Sequence, residues 1–165
     1  MERELNDRTG WLPGPWDSEP DQEQWITGAG LPGLLIRNRF GCWCGYVGTS
    51  PQHPNFGLGY DDVDVNVHGG LTFAGHPIAG DPDETFWWFG FDCNHGGDYS
   101  PELDRHYRQA DFPPLERQSD YRTIEYAKRQ VESMAEQLQI TMIEFLDPLF
   151  DPAPELPLDN PDSTV

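Results

Sequence analysis

The fold of this chain is decided by the stretch TFWWFGF, residues 85–91. Aromatic side chains would fill both faces of a strand built from it, and two-sided apolarity is typical of a strand inside a sheet. The same rings could stack on a nucleobase or a sugar, although the interior of a sheet uses residues of the same kind. We therefore predict that residues 85–91 form an internal strand and that the rest of the domain packs around it.

Shorter segments before this stretch also have the composition of strands. They are residues 34–38, 43–47, 62–68 and 71–74. The third of them, DVDVNVH, alternates strictly between apolar and polar residues, which is typical of a half-buried strand. Gly69 and Gly70 follow it, and the pair predicts a two-residue hairpin turn. A small antiparallel or mixed sheet is the simplest assembly of these segments.

A helix is predicted after the sheet, because apolar residues recur there at spacings of three and four. The residues are Ile124, Ala127, Val131, Met134 and Leu138. Ser119 or Asp120 can cap its start, and Pro148 would stop its continuation. The predicted fold class is therefore α+β, with one long C-terminal amphipathic helix packed on the sheet.

The composition of the two ends differs from that of the middle. Residues 1–30 combine Trp, Pro and Gly, which predicts an irregular arm whose indoles pack on the body. Residues 147–165 combine Pro with acidic residues, which predicts a disordered tail. We expect one α+β domain over residues 31–146 between them.

The net charge limits the partners. The chain has 10 Lys and Arg against 29 Asp and Glu, for a formal charge of −19, and Lys128 is its single lysine. Direct nucleic-acid binding and docking on an anionic membrane both require basic clusters, so we expect neither. The first residues lack the layout of a signal peptide and no window is apolar enough to span a membrane, so we expect a cytoplasmic protein.

Candidate site residues follow the aromatic strand. Asp92, His95 and Asp98 lie within seven residues beside Gly96 and Gly97, and such side chains bind divalent metals or transfer protons. If the neighbouring strand is residues 62–68, then Asp62, Asp64 and His68 would converge on the same patch. The alternative is that Asp92 caps a turn, that His95 packs, and that the polar face of residues 62–68 is only solvated.

Two metal hypotheses use these residues. A divalent cation could be held by His68, Asp92 and His95, with Asp62 or Asp98 as the base for a bound water. A structural zinc site could instead combine His95 with the three cysteines, Cys42, Cys44 and Cys93, although buried thiols explain them better. Neither the P-loop, the dinucleotide fingerprint nor the G-x-S-x-G elbow occurs in the sequence.

Positive charge suggests a different ligand. Arg105, Arg108 and Arg122 could recognise a phosphorylated molecule, although helical ion pairs would also explain many of the arginines.

Several sequence blocks form a distinctive set. They are WCGYVG at residues 43–48, GYDD at 59–62, VHGGLT at 67–72 and WWFGFDC at 87–93. With His95, Asp98 and the helix that follows, they resemble a family of small accessory proteins of tailed bacteriophages and prophages. The resemblance spans roughly residues 40–140 and brings no catalytic residues with it. It implies an accessory phage protein that works in the host cytoplasm.

Three functions are compatible with these features. The first is a non-enzymatic binding protein that interferes with host immunity by binding a defence component or its nucleotide messenger. The second is a metal-dependent hydrolase of a nucleotide or phosphoester. The third is a structural or interaction module without a specific pocket, and a homodimer is compatible with any of the three.

Overall fold

A five-stranded antiparallel sheet and two α-helices form the core of the computed structural model, which describes residues 6–76, 85–113 and 120–147. The strands are β1 (Gln22–Ile26), β2 (Pro32–Arg37), β3 (Trp43–Thr49), β4 (Phe73–Gly75) and β5 (Trp87–Asp92), and the helices are α1 (Pro101–Gln109) and α2 (Ile124–Leu146). The order of the strands across the sheet is β1-β2-β3-β5-β4. The predicted α+β class is confirmed, and the sheet is antiparallel throughout.

The aromatic stretch forms the internal strand β5, as predicted. It pairs with β3 on one side and with β4 on the other. Phe89 and Phe91 are buried in the core beneath α2, while Trp88 is buried on the opposite face with Leu34 and Ile36. The two-sided apolarity of the sequence therefore corresponds to a sheet that is covered on both faces at this point.

Helix α2 lies across one face of the sheet and presents the predicted apolar stripe to it. Ala127, Val131, Met134 and Leu138 are fully buried. The approach to β3 is close, since a Cβ on Gly45 would lie 2.8 Å from Val131 and 2.5 Å from the Phe91 ring. A glycine at this position lets the helix and the neighbouring ring pack directly on the backbone of the strand.

The start of α2 differs from the prediction. Thr123, not Asp120, is the N-cap, and its side chain accepts a hydrogen bond from the backbone N–H of Tyr126 at 3.3 Å. Asp120 lies in the turn before the cap, and the other predicted cap, Ser119, is outside the described residues. A threonine hydroxyl satisfies the same orphan backbone donors as the predicted residues would.

The prediction of a strand over residues 62–68 is wrong, although its alternation of faces is present. Val63, Val65 and Val67 turn towards the core while Asp64 and Asn66 are exposed. The segment pairs with α2 rather than with another strand. Gln137 exchanges hydrogen bonds with the backbone of Asn66, and Gln130 accepts from the backbone of His68. Helix side chains thus replace the neighbouring strand as hydrogen-bond partners of the backbone.

The predicted hairpin is also wrong, although the turn exists. Gly69 and Gly70 have φ of +67° and +82°, and Gly70 donates to the Val67 carbonyl. The turn leads towards β4, which pairs with β5 instead of with the segment before the turn.

The predicted arm is irregular only over part of its length. Trp16 is fully buried, and it stacks on Tyr99 at 5.6 Å, so the expected packing of an indole on the body is present. Residues 22–26, however, form the edge strand β1. Gln-Glu-Gln-Trp-Ile lacks strict alternation, and pairing with β2 decides its conformation.

The predicted disordered tail, residues 147–165, lies outside the described residues except for Asp147, which is the C-cap of α2. Within the described ranges, neither helix has the length and apolarity needed to cross a bilayer.

Candidate functional site

Asp98 is the centre of a group of polar side chains beside the start of α2. Its Oδ1 accepts from Nε of Arg122 at 2.8 Å, and its Oδ2 accepts from Nε2 of His68 at 2.7 Å. The backbone N–H of His95 also donates to Oδ2, at 3.0 Å. The carboxylate is only 3% exposed, so these three donors replace the water that it would otherwise bind.

The loop after β5 places Asp98 there. Asp92 ends the strand and accepts from the backbone N–H of Asn94 at 3.1 Å, which turns the chain. Asp98 then donates its backbone N–H to the His95 carbonyl at 3.0 Å, and Gly97 takes a φ of +102°. Asp92 does cap a turn, as one of the sequence interpretations held.

The two ring nitrogens of His68 have different partners. The ionised Asp98 can only accept, so Nε2 of His68 donates to it, and Nδ1 shares a hydrogen bond of 2.9 Å with the Tyr126 hydroxyl. Asp98, His68 and Tyr126 therefore form a chain of hydrogen bonds. This chain links the β5 loop, the extended segment and α2.

His95 is held mainly by packing. Its ring lies 5.5 Å from that of His68, and a Cβ on Gly69 would come within 2.0 Å of its Nε2. Among the described residues, that nitrogen has no hydrogen-bond partner, and its distance to Oδ1 of Asp92 is 3.8 Å. The structure therefore agrees with the interpretation that His95 packs, and the glycine turn provides the space.

The electrostatic environment keeps Asp98 ionised. Burial alone would raise the pKa of its carboxyl, but the hydrogen bonds from Arg122, His68 and the His95 backbone outweigh burial and lower the pKa below its ordinary value. The group is therefore a fixed negative charge at neutral pH.

We refer to this group as the polar cluster, and its members are His68, Asp92, His95, Asp98, Arg122 and Tyr126. Five of these were predicted from sequence as site residues, so the structure does bring His68 to the loop after β5. Contact with α2, rather than pairing of adjacent strands, brings it there.

Four predicted site residues lie apart from the polar cluster. Asp62 and Asp64 are exposed to solvent, and Asp62 belongs to a single 3₁₀ turn. Arg105 forms an ion pair with Glu102, and Arg108 pairs with Asp104 at 2.9 Å. These helical ion pairs are the alternative that the sequence had left open for the arginines.

Arg105 also borders an open cleft of about 330 Å³ between α1 and the N-terminal arm. The lining residues are Asn6, Asp7, Thr9, Arg39, Glu102 and Arg105. Its two arginines face two carboxylates, so the cleft has no net preference for an anion.

The geometry does not favour the metal hypothesis for His68, Asp92 and His95. Both ring nitrogens of His68 already have partners, and a metal ion could bind only after one of those bonds broke. Within residues 6–76, 85–113 and 120–147, no three His, Cys, Asp or Glu side chains are grouped in a way that could hold a metal ion.

The cysteines correspond to the buried thiols that the sequence favoured. Cys42 and Cys93 are buried, and Cys44 is half-buried. Burial raises the pKa of the Cys42 thiol to about 12 and also raises that of Cys93, so both remain protonated.

Tyr126 and Arg129 were not among the predicted site residues, because both read as ordinary positions on a helix surface. Arg122 and Arg129 place their guanidinium carbons 5.1 Å and 5.9 Å from the centre of the Tyr126 ring. Tyr126 and Arg129 are three residues apart on α2 and therefore share a face of the helix, which is the signal that could have found them, whereas Arg122 lies just before the N-cap.

A second group of charges was also missed, and it is buried. Arg37 is fully buried and donates to Asp21 and to Glu19, both at 2.9 Å, and to the Tyr121 hydroxyl. Arg8 pairs with Asp21 from the arm. We refer to these five residues as the arm network.

The arm network also reaches α2. Glu19 accepts from Tyr121 at 2.7 Å and from the backbone N–H of Ile124 at 2.8 Å. Glu19 therefore satisfies a backbone N–H in the first turn of α2 and connects the N-terminal arm to the helix.

The chain matches no family model, no curated protein and no solved structure. The geometry of the polar cluster is therefore the basis for a functional proposal.

Proposed function

We propose that this chain is a non-enzymatic binding protein, encoded by tailed phages and prophages as its sequence blocks suggest, that interferes with host immunity. Its partner is a host defence component or the nucleotide messenger of that defence, and it acts in the host cytoplasm. The observation that carries the proposal is the pre-arranged polar cluster around Asp98, of which Arg122 remains 36% exposed. When donor side chains are already ordered and exposed to solvent, binding of a ligand has a smaller entropic cost.

Binding is better supported than metal-dependent hydrolysis. The hydrolase needs His68 as a metal ligand, whereas Asp98 and Tyr126 occupy both of its nitrogens. The same two bonds suit a binding site, because they fix the orientations of the imidazole and the phenol.

The plaquing efficiency of phages tests this function. The chain would be expressed in bacterial strains that each carry one anti-phage defence system. We expect wild type to raise plaquing on at least one strain and Asp98→Asn to remove the gain, because the amide cannot hold His68 and Arg122 as the carboxylate does.

The matched control is Asp64→Asn, which makes the same chemical change at an exposed residue outside the polar cluster. We expect it to behave as wild type. The proposal is wrong if wild type raises plaquing on no strain, or if the two variants behave alike. Circular dichroism of both variants verifies that each is folded.

A further inference from the structure

Two arginines share one aromatic ring at the edge of the polar cluster. The guanidinium carbons of Arg122 and Arg129 both lie within 6 Å of the centre of the Tyr126 ring. Cation–π contact of this kind holds a guanidinium over the ring while leaving its N–H groups free for other partners. In a chain with a formal charge of −19, two adjacent cations at the surface are a local exception.

Most donors of these two arginines are unused. Arg122 donates to Asp98 through Nε, and both of its terminal amino groups have no hydrogen-bond partner among the described residues. Arg129 is exposed and has no carboxylate within ion-pair distance in the same part of the chain. Glu132, one turn further along α2, is already engaged by Trp25 at 2.7 Å and by the Gly28 backbone at 2.8 Å.

The ring that both arginines contact is fixed in place. Its hydroxyl shares a hydrogen bond of 2.9 Å with Nδ1 of His68, and His68 is in turn held by Asp98. The arrangement is therefore ordered before any ligand arrives, which reduces the entropic cost of binding.

The start of α2 favours an anion at this position, although carboxylates lie nearby. Asp98 pairs with Arg122, and Asp92, which accepts from the Thr72 hydroxyl and the Asn94 backbone N–H, keeps its negative charge. Arg122 also directly precedes the N-cap of α2, where the helix dipole is positive and a cation is poorly placed. An anion bound by both guanidinium groups would offset the repulsion between Arg122 and the positive end of the helix dipole.

We propose that Arg122 and Arg129 form an anion clamp for a phosphate group, so that the ligand is a small phosphorylated molecule such as a nucleotide. Guanidinium groups are planar and donate in pairs, which matches the oxygens of a phosphate. The clamp rests on the proposed function, because it names the class of ligand that the polar cluster binds. It selects the phosphorylated messenger over a surface of a host protein.

Titration of the full-length, ¹⁵N-labelled protein with inorganic phosphate tests the clamp, with chloride at equal ionic strength as the reference. We expect saturable shifts of the Arg122 and Arg129 Nε–H resonances. Replacement Arg129→Gln should weaken phosphate binding by about tenfold, the usual contribution of a charge-assisted contact.

The matched control is Lys128→Gln, which removes the same charge from the next residue. Lys128 points to the other side of α2, where it pairs with Glu23 at 2.6 Å. We expect phosphate binding by this variant to equal that of wild type.

Two outcomes would overturn the clamp. One is the absence of saturable shifts, and the other is equal weakening in the two variants, which would indicate a general charge effect. If phosphate does not bind but Asp98→Asn still removes the gain in plaquing efficiency, then the proposed class of ligand is wrong and the proposed function stands. If phosphate binds at the clamp but Asp98→Asn and Asp64→Asn give the same plaquing efficiency, then the anion site is right and the proposed function is wrong.

Discussion

Arg37 and Arg122 each pair with carboxylates beside the start of α2, but water reaches only one of them. Arg37 is fully buried, and all three of its guanidinium nitrogens donate hydrogen bonds, to Asp21, Glu19, Tyr121 and the Gly41 carbonyl. Arg122 is 36% exposed and donates through Nε alone. The first arginine has no donor left for a ligand, whereas the second keeps most of its donors.

The difference separates structural from recognition roles. In the arm network, burial would lower the pKa of Arg37, yet Tyr121 and Glu19 raise it, so the charge persists inside the protein. Removing one member of such a network leaves its partners charged and buried. In the polar cluster, Arg122 is partly exposed and Asp98 keeps the donors of His68 and the His95 backbone when Arg122 is lost, so function should suffer there more than stability does.

The largest effect should come from Arg37→Met. This change leaves Glu19 buried without its cation and Asp21 with Arg8 alone, and we expect it to reduce the free energy of unfolding by about 3–5 kcal/mol. The equivalent change Arg122→Met should cost less than about 1 kcal/mol, because Arg122 is partly exposed and screened. Urea unfolding followed by tryptophan fluorescence measures both.

The control for both variants is Arg39→Met, because Arg39 is exposed. We expect its free energy of unfolding to stay within about 0.5 kcal/mol of wild type. If Arg37→Met does not fold, Tyr121→Phe offers a milder change that should cost about 1 kcal/mol. Equal losses for Arg37→Met and Arg122→Met would break the distinction between the two regions.

A middle-sized effect is expected at the glycine turn that supports His95. Gly69→Ala requires a positive φ and displaces His95, whose Nε2 lies 2.0 Å from the new Cβ, so we expect a loss of about 2–3 kcal/mol. Gly70→Ala has the same kind of backbone cost, but its Cβ meets nothing within 4 Å, so we expect about 1 kcal/mol. Thermal or urea unfolding resolves the two values.

The double variant Gly69→Ala with His95→Ala separates the cost of the positive φ from the cost of the clash with His95. If the clash with His95 is the excess cost, the double variant should be less unstable than the sum of the two single changes. Strict additivity would show that His95 does not rest on the turn.

The smallest effect, and the one that depends on pH, is expected for Asp98→Asn. At neutral pH we expect a loss of about 1 kcal/mol, because Asp98 gives up ionic hydrogen bonds whose partner Arg122 is partly exposed. The folded-state pKa of Asp98 is lowered from 3.8, because its hydrogen bonds outweigh burial. Its contribution is therefore present above about pH 4 and lost as the pH falls through the folded pKa.

Unfolding curves measured from neutral to acid pH check this sign. The wild-type and Asp98→Asn stabilities should converge in acid, while the difference between wild type and Asp64→Asn should stay small throughout. A constant gap for Asp98→Asn down to low pH would mean that its carboxylate is not held by the polar cluster.

The sequence indicated five of the six residues of the polar cluster, but for a reason that was only partly right. It grouped His68 with Asp92, His95 and Asp98 by assuming that two strands are neighbours. His68 reaches the loop because Gln130 and Tyr126 of α2 hold the extended segment in place. Alternation of faces is a property of any extended chain, so it could not reveal which element supplies the hydrogen bonds.

The sequence by itself determined the β5 strand, the apolar stripe of α2 and the α+β class, because the periodicity of neighbouring residues encodes which face of an element is buried. Only the tertiary structure decided that Glu19 and Arg37 meet, that β1 belongs to the sheet, and that two arginines flank Tyr126 beside Asp98. Glu19 is 105 residues from Ile124, the start of α2 that it caps. Contacts over such separations leave no local pattern, since the packed core fixes them and not the conformation of either segment.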